Sequence, residues 1–498
     1  MQSNLLESVL AATLARGQAG GARGDWLEPV VREPSITRAL AMWILAVHEG
    51  EIPPRDDLIV LMQRGIAEID GLISQQLCAI LHHPRFQALE ASWRGLDYLV
   101  DQSAGVENVK IRVLAVSWRE IARDLERAIE FDQSHLFRKV YSEEFGTPGG
   151  EPFGVLLGDY EVAHRPRAGS AVDDVTVLKG VAAVAAAAFA PFIAAVHPSL
   201  FGLDSFADLE RSFDIARVFQ SADYIRWNSL REIDDSRFVG LTLPRVLIRR
   251  PWRDDPRRSD GFRFHEETSQ ADGSGRLWTN ACYAFGAVLL RSFAQSGWLA
   301  SIRGAERGIE GGGLVTGLVA ASASTDEPGI VPLPPTEVVI TDMLEKSLAD
   351  MGFAAVSTLA GTSYGAFYST PSIQQPRAMD QAEAKVNAKL SAMLPYILCT
   401  SRFAHAIKMI GRDRQGSFID AEGLQTYIST WIRDFVINDD DASSEMQARK
   451  PLREASVSVR DVPGKPGAYY SVIHLRPHFQ LDDMSTSLKL VTEIVADR

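Results

Sequence analysis

The chain has 498 residues, of which 46% are hydrophobic and 23% charged, a globular composition that argues against fibrous, wholly disordered and membrane-embedded classes. The length suits about three domains. Acidic residues outnumber basic ones by 64 to 51, for a formal net charge of -13, so the chain as a whole has no general attraction for nucleic-acid backbones or anionic lipid.

Residues 4–16, NLLESVLAATLAR, predict an amphipathic helix. Asn4 can cap it, Glu7 completes a capping box, and Leu5, Leu6, Val9, Leu10 and Leu14 share one face. The Gly-rich stretch GQAGGARG (17–24) tethers this helix loosely. It is therefore read as a peptide for another protein's groove, with docking onto its own domain as the alternative. The N-terminus has Glu7 where a secretory signal would carry positive charge, so none is expected.

Residues 25–105 read as a helical region. Within it, ILHHPRFQALEASWRGLDYLV (80–100) places Pro84 in a first helical turn, followed by Phe86, Leu89, Trp93, Leu96 and Val100 at steps of three and four. That spacing predicts one buried core stripe. His82 and His83 are adjacent in sequence, point in different directions, and read as solvated residues rather than a metal pair.

Residues 106–440 read as an α/β core. NVKIRVLAVS and PFGVLLGDY predict strands separated by the helix WREIARDLERAIEF. The alanine-rich segment 177–198 contains Pro191 and Lys179; it is too weakly apolar for a membrane span and predicts a buried helix ending near His197 and Pro198. FVGLTLPRVLIR predicts another strand, and the polar segment 253–276 a surface loop. PTEVVITDMLEKSLADMGFAAVSTL reads as strand, helix, strand. A helix over 388–410 should kink at Pro395, and LQTYISTWIRDFVI places Tyr427, Trp431 and Phe435 on one face.

Residues 441–498 begin within the acidic linker NDDDASSEM, after which the period changes to two. REASVSVRDV, the turn PGKPG and AYYSVIHLRPHFQ predict a hairpin, and STSLKLVTEI a further strand. An isolated hairpin is marginal in water and exposes unpaired main-chain groups. Strands donated by neighbouring chains are the predicted solution.

Little in the sequence suggests catalysis. Cys78, Cys282 and Cys399 are far apart among apolar neighbours, as packed thiols of a reducing cytoplasm would be. GTSYG (361–365) matches G-x-S-x-G, but Pro371 and Pro376 follow where a helix should, so Ser363 reads as a turn residue. RGAERGIEGGGLVTG (303–317) lacks a phosphate-loop lysine and reads as flexible backbone. In REIDDSR (231–237), Arg231 and Arg237 flank Glu232, Asp234 and Asp235 and suggest ion pairing. No enzyme activity, metal or cofactor is expected; a hydrolase using Ser363 or the acidic cluster is the alternative from another class.

The stretches ILHHPRFQALEASWRGLDYLV, PFGVLLGDYE, APFIAAVHPSLFGLDSF, REIDDSRFVGLTLPRVLIR, GGGLV, PTEVVITD, LPYILCTSRFAHAIKMIGRDRQGSF and PLREASVSVRDVPGKPGAYYSVIHLRPHFQLDDMSTSLKLV follow one another along the chain. Together they resemble the large subunit of the type VI secretion contractile sheath, the TssC/VipB family. The resemblance implies a contractile-sheath-type mixed α/β core with a helical N-terminal region and a C-terminal β-hairpin used for inter-subunit strand pairing. It implies as partners the small sheath subunit TssB (VipA), an inner Hcp tube, a baseplate, further copies of the chain and a ClpV-type recycling ATPase, all in the bacterial cytoplasm. Strand pairing would use Ala455–Val462 and Tyr469–Arg476, with Val457, Val459, Val462, Tyr470, Val472 and His474 as candidates; Leu5, Leu6, Val9 and Leu10 would fill the ATPase groove. A single-chain phage-tail-like sheath is the alternative within the structural class.

Overall fold

The structure is a computed structural model. It describes residues 27–47 and 55–478, apart from 168–169, 212–213, 256, 258–260, 269–272, 274, 307, 323–331, 378–379, 414–420, 440–441 and 462–468. The chain divides into two compact units, Met1–Gln87 with Pro251–Thr268, and Ala88–Arg250 with Ser269–Arg498.

The first unit contains helices α1 (Ile36–Val47) and α2 (Arg55–Leu81). A Cβ on Gly65 would lie 2.6 Å from the Trp43 ring, so the absence of a side chain there lets the indole sit against the α2 backbone. Part of the predicted surface loop also belongs here. Glu266, only 1% exposed, meets His82 Nε2 at 3.2 Å and accepts the Trp252 N–H at 2.8 Å. His82 is thus held by a carboxylate rather than simply solvated, because a buried carboxylate needs donors.

Helix α3 (Pro84–Gln102) begins at Pro84 as the spacing predicts, but its stripe is not the core of this chain. Phe86, Leu89, Trp93 and Val100 are exposed, Trp93 by 64%, and Leu96 is only partly buried. The buried face carries Gly95, Tyr98 and Leu99 instead. A Cβ on Gly95 would lie 2.5 Å from the Tyr283 ring, and Tyr98 Oη donates to the Thr316 carbonyl at 2.8 Å. The helix packs through a small residue and a hydrogen-bonding aromatic, a contact that counting large apolar side chains overlooks. Replacing Leu89 or Trp93 with Gln should therefore leave stability within about 0.5 kcal/mol. Leu99→Ala should cost roughly 2–5 kcal/mol. Urea unfolding of the variants measures both.

In the second unit the strands are β1 (Leu156–Val162), β2 (Phe192–Val196), β3 (Val239–Leu243), β4 (Val246–Arg249), β5 (Leu277–Thr279), β6 (Leu314–Val315), β7 (Ala321–Ser322), β8 (Pro332–Leu333), β9 (Phe353–Thr358), β10 (Gly365–Phe367), β11 (Leu452–Asp461) and β12 (Tyr469–Pro477). Six form one sheet in the order β1-β2-β3-β9-β10-β6, parallel from β1 to β9 and antiparallel beyond. Its two faces bury separate clusters. Phe192, Ala194 and Val196 join Leu241, Trp227 and Phe353 in one, while Ile193 joins Leu99, Phe285 and Phe367 in the other. This alternation is the period of two of a strand covered on both sides.

Helices α4 (Trp118–Arg127), α5 (Asp174–Ala188) and α7 (Asp342–Asp350) contribute to the first cluster, and α3 and α6 (Ala281–Ser296) to the second. The predicted helix over 177–198 is in fact α5 followed by β2. Phe189 adopts φ +51° and donates its N–H to the Ala185 and Ala186 carbonyls, closing the helix. Pro191 has no N–H to continue it, and five buried residues follow as a strand. Residues 108–117, predicted as a strand, belong to no ladder. Residues 335–341 likewise form no strand, making only an isolated bridge from Thr336 to Val246.

Pro395 does not kink a helix. It lies in the first turn of a new one, α9 (Leu394–Asp413), which follows α8 (Ala382–Ser391), where the missing N–H carries no penalty. Helix α9 and α10 (Ala421–Arg433) form a third cluster with the hairpin β11–β12, around Phe403, Ile428, Ile432 and Val459. Trp431 and Phe435 pack there, whereas Tyr427 is 41% exposed. Farther along α9, His405 is 2% exposed with Nε2 2.9 Å from the Ala188 carbonyl at the end of α5, and Arg412 donates to the Phe145 and Thr147 carbonyls at 2.6 Å each.

Burial depresses the His405 pKa to about 4. A depressed folded value contributes stability that is present above the unfolded pKa near 6.5 and is lost as pH falls toward 4. The loss should reach on the order of 2 kcal/mol by pH 5. A His405→Gln variant should lack this part of the acid slope when urea midpoints at pH 7 and pH 5 are compared.

Candidate assembly interface

The hairpin has a regular antiparallel register, with Val459 opposite Ser471, Val457 opposite Ile473 and Ala455 opposite Leu475. Its side chains sort by face. Val457 and Val459 point with Ala455, Ile473 and Leu475 toward the α9–α10 cluster, while Val472 and His474 are exposed on the other face.

Its main chain sorts by edge. The Val459 N–H donates to Gln425 Oε1 at 2.9 Å and so points away from β12. Outward and inward orientations alternate along an antiparallel pair, so Ala455 and Val457 on β11, and Ser471, Ile473 and Leu475 on β12, also point outward. Tyr396 agrees with this assignment, donating its hydroxyl to the Leu475 carbonyl at 3.0 Å. The outward groups of Ala455, Val457, Ser471 and Ile473 have no main-chain partner among the described residues. At its start the β11 edge is already met: Leu452 bridges Val436, accepting the Ile437 N–H at 2.9 Å and donating to the Phe435 carbonyl at 3.1 Å.

Gln425 and Tyr396, which hold this orientation, were not apparent from the sequence. Each is one polar residue within a helical pattern, and only the register of the finished hairpin gives it a role. Val462 and the four residues predicted for ATPase recognition, Leu5, Leu6, Val9 and Leu10, lie outside the described residues, as does the Tyr470 side chain.

The motifs weighed for chemistry have structural places. Ser363 sits in the loop between antiparallel β9 and β10, where Gly361 has φ +73° and no helix follows. The glycine run braces β10: Gly304 donates to the Phe367 carbonyl at 2.8 Å, Gly313 to Gly304 at 2.7 Å, and Phe367 to Gly313 at 2.9 Å. A Cβ on Gly313 would collide with the Phe367 carbonyl, so the glycine serves close backbone approach rather than flexibility. Arg231 is buried against the Ile373 carbonyl, and Asp234 pairs with Arg377 and Arg237. All three cysteines are buried, and burial pushes the Cys399 thiol up to about 12. Among the described residues no His, Cys, Asp or Glu group is arranged to hold a metal, and no helix is long and apolar enough to cross a membrane.

Two family models match nearly end to end. The VipB model for an EvpB-type tail sheath N-terminal domain covers residues 63–374, and the tail sheath gpW/gp25-like domain covers residues 383–494. The chain belongs to the VipB tail-sheath family. The type VI secretion system sheath protein TssC1 of Pseudomonas aeruginosa is 40% identical over 442 residues, spanning 88% of this chain and 87% of that protein. As a VipB-family member, this chain is a structural subunit of a contractile sheath. The second family domain holds α9, α10 and the hairpin. A cryo-EM structure of the anti-feeding prophage baseplate aligns with 78% of this chain and 84% of its own at a TM-score of 0.34 and 11% identity, too remote to carry an argument.

Proposed function

We propose that this VipB-family chain pairs with the small sheath subunit, TssB, and stacks into a helical tube around an Hcp tube on a baseplate in the bacterial cytoplasm. The observation that supports this reading is the hairpin, anchored on one face by α9 and α10, whose outward groups at Ala455, Val457, Ser471 and Ile473 have no main-chain partner among the described residues. Main-chain ladders to strands of neighbouring subunits complete it. Assembly in an extended lattice stores free energy that a trigger at the base releases, as subunits rotate and slide into tighter packing. Strand exchange keeps neighbours attached while their cores move. The chain itself makes and breaks no covalent bond.

In this reading residues 1–24 form a tethered recognition helix for a ClpV-type ATPase, which supplies the only nucleotide energy, by taking contracted sheaths apart. Residues 25–105 form the helical region, 106–440 the sheath core and 441–498 the strand-exchange tail. Co-expression with the adjacent small sheath gene, followed by negative-stain microscopy, tests the proposal. Tubes that require both proteins support it. A stable monomer that forms no tube with any small partner overturns it.

A further inference from the structure

Residues 109–116, Val-Lys-Ile-Arg-Val-Leu-Ala-Val, begin with the alternation of a strand, yet belong to no helix or sheet. Among the described residues their main chain makes one hydrogen bond, from Tyr160 Oη to the Val116 carbonyl at 2.6 Å. Side chains hold the other end. Lys110 pairs with Glu151, and Arg112 with Glu144 and Glu151, while the Arg112 guanidinium lies 5.7 Å from the centre of the Phe153 ring. Glu151 and Phe153 precede β1 and Tyr160 lies near its end, so the segment runs past β1 in the same direction. Among the described residues, strand β1 is the terminal strand of the six-stranded sheet and pairs only with β2.

The side chains fit a position in the plane of that sheet. Residues five apart in an extended chain point to opposite faces. Ile111 packs against the cluster on one face and Val116 against the cluster on the other. Between them Val113 and Leu114, which also face opposite ways, are 66% and 56% exposed. Both ends of the segment are tied, and its middle offers main-chain groups flanked by the apolar side chains of Val113 and Leu114.

We infer that residues 109–116 beside β1 form a second strand-receiving site, distinct from the hairpin, for one β-strand of a different polypeptide that is apolar on both faces. This rests on the reading of the chain as one subunit of a sheath built with a second protein. The described strands of this chain with longer open edges do not match the site. Strands β11 and β12 turn their apolar face toward α9 and α10 and present Glu454, Arg460, His474 and Arg476 on the other. A partner strand with apolar residues on both sides covers Val113 and Leu114 together and completes the ladder.

Hydrogen exchange on assembled tubes, read by mass spectrometry, tests the inference. Amides of 109–116 should exchange at least 100-fold more slowly than in an unstructured peptide. Fast exchange there with slow exchange at 469–477 overturns the second site and leaves the hairpin reading standing; failure to form tubes at all counts against the hairpin reading instead. A photo-crosslinking residue in place of Val113 identifies the occupant. An adduct with the small partner supports the inference, and an adduct with a second copy of this chain overturns it. Val113→Pro should leave the melting temperature of the chain unchanged, because no main-chain bond is made there, yet reduce co-purification of the partner at least tenfold. Undiminished co-purification overturns it.

Discussion

Ser471→Pro should abolish tube formation while leaving the subunit folded. Ser471 lies opposite Val459, whose N–H is turned outward to Gln425, so the Ser471 N–H also points away from β11. Proline removes that single outward donor, and edge positions whose N–H faces away from the partner strand tolerate it. The internal ladder of the hairpin is retained, and stability should change by no more than about 1 kcal/mol. Val472→Pro, one residue on, removes an inward donor opposite Ser458 and should destabilise by roughly 3 kcal/mol. Negative-stain microscopy of the co-expressed proteins and urea unfolding of the purified chain separate the two effects. Abundant tubes from Ser471→Pro would show that this edge takes no part in assembly.

Trp227→Ala should be the most damaging single truncation. Trp227 is 1% exposed, in the cluster on one face of the large sheet, and lies 6.4 Å from the Phe353 ring at an interplanar angle of 15°. Removing a buried indole forfeits its transfer energy and leaves a cavity, at a cost of roughly 3–5 kcal/mol. Against a total stability of about 5–15 kcal/mol, that loss populates unfolded chains substantially. The urea midpoint should fall and much of the expressed chain should aggregate. Trp93→Ala should do neither, since that indole is 64% exposed. A small effect of Trp227→Ala would mean the cavity had collapsed around neighbouring side chains.

The two tryptophans also show how far the sequence could be read. Strong local patterns were legible: α4 lies within WREIARDLERAIEF, and β1 and β9 overlap the segments that read as strands. The hairpin followed from a change of period to two, which needs no knowledge of distant neighbours. Long-range packing was not legible. Periodicity marks a helix face as apolar but cannot say whether the same chain covers it, so the Phe86–Val100 stripe was read as core. The strand character of 109–116 was present in its residues, but pairing depends on a neighbour. The break after Ala188 turned on a left-handed Phe189, a conformation that residue identity alone does not announce.

Helix α9 has a mechanical consequence. Its first turn holds the hairpin through Tyr396, and its C-terminal half grips Ala188, Phe145 and Thr147 through His405 and Arg412. At 1.5 Å per residue its 20 residues make a stiff rod about 30 Å long. A pull on the hairpin therefore reaches Ala188, Phe145 and Thr147 by way of this rod, with α10 packed against the same hairpin beside it.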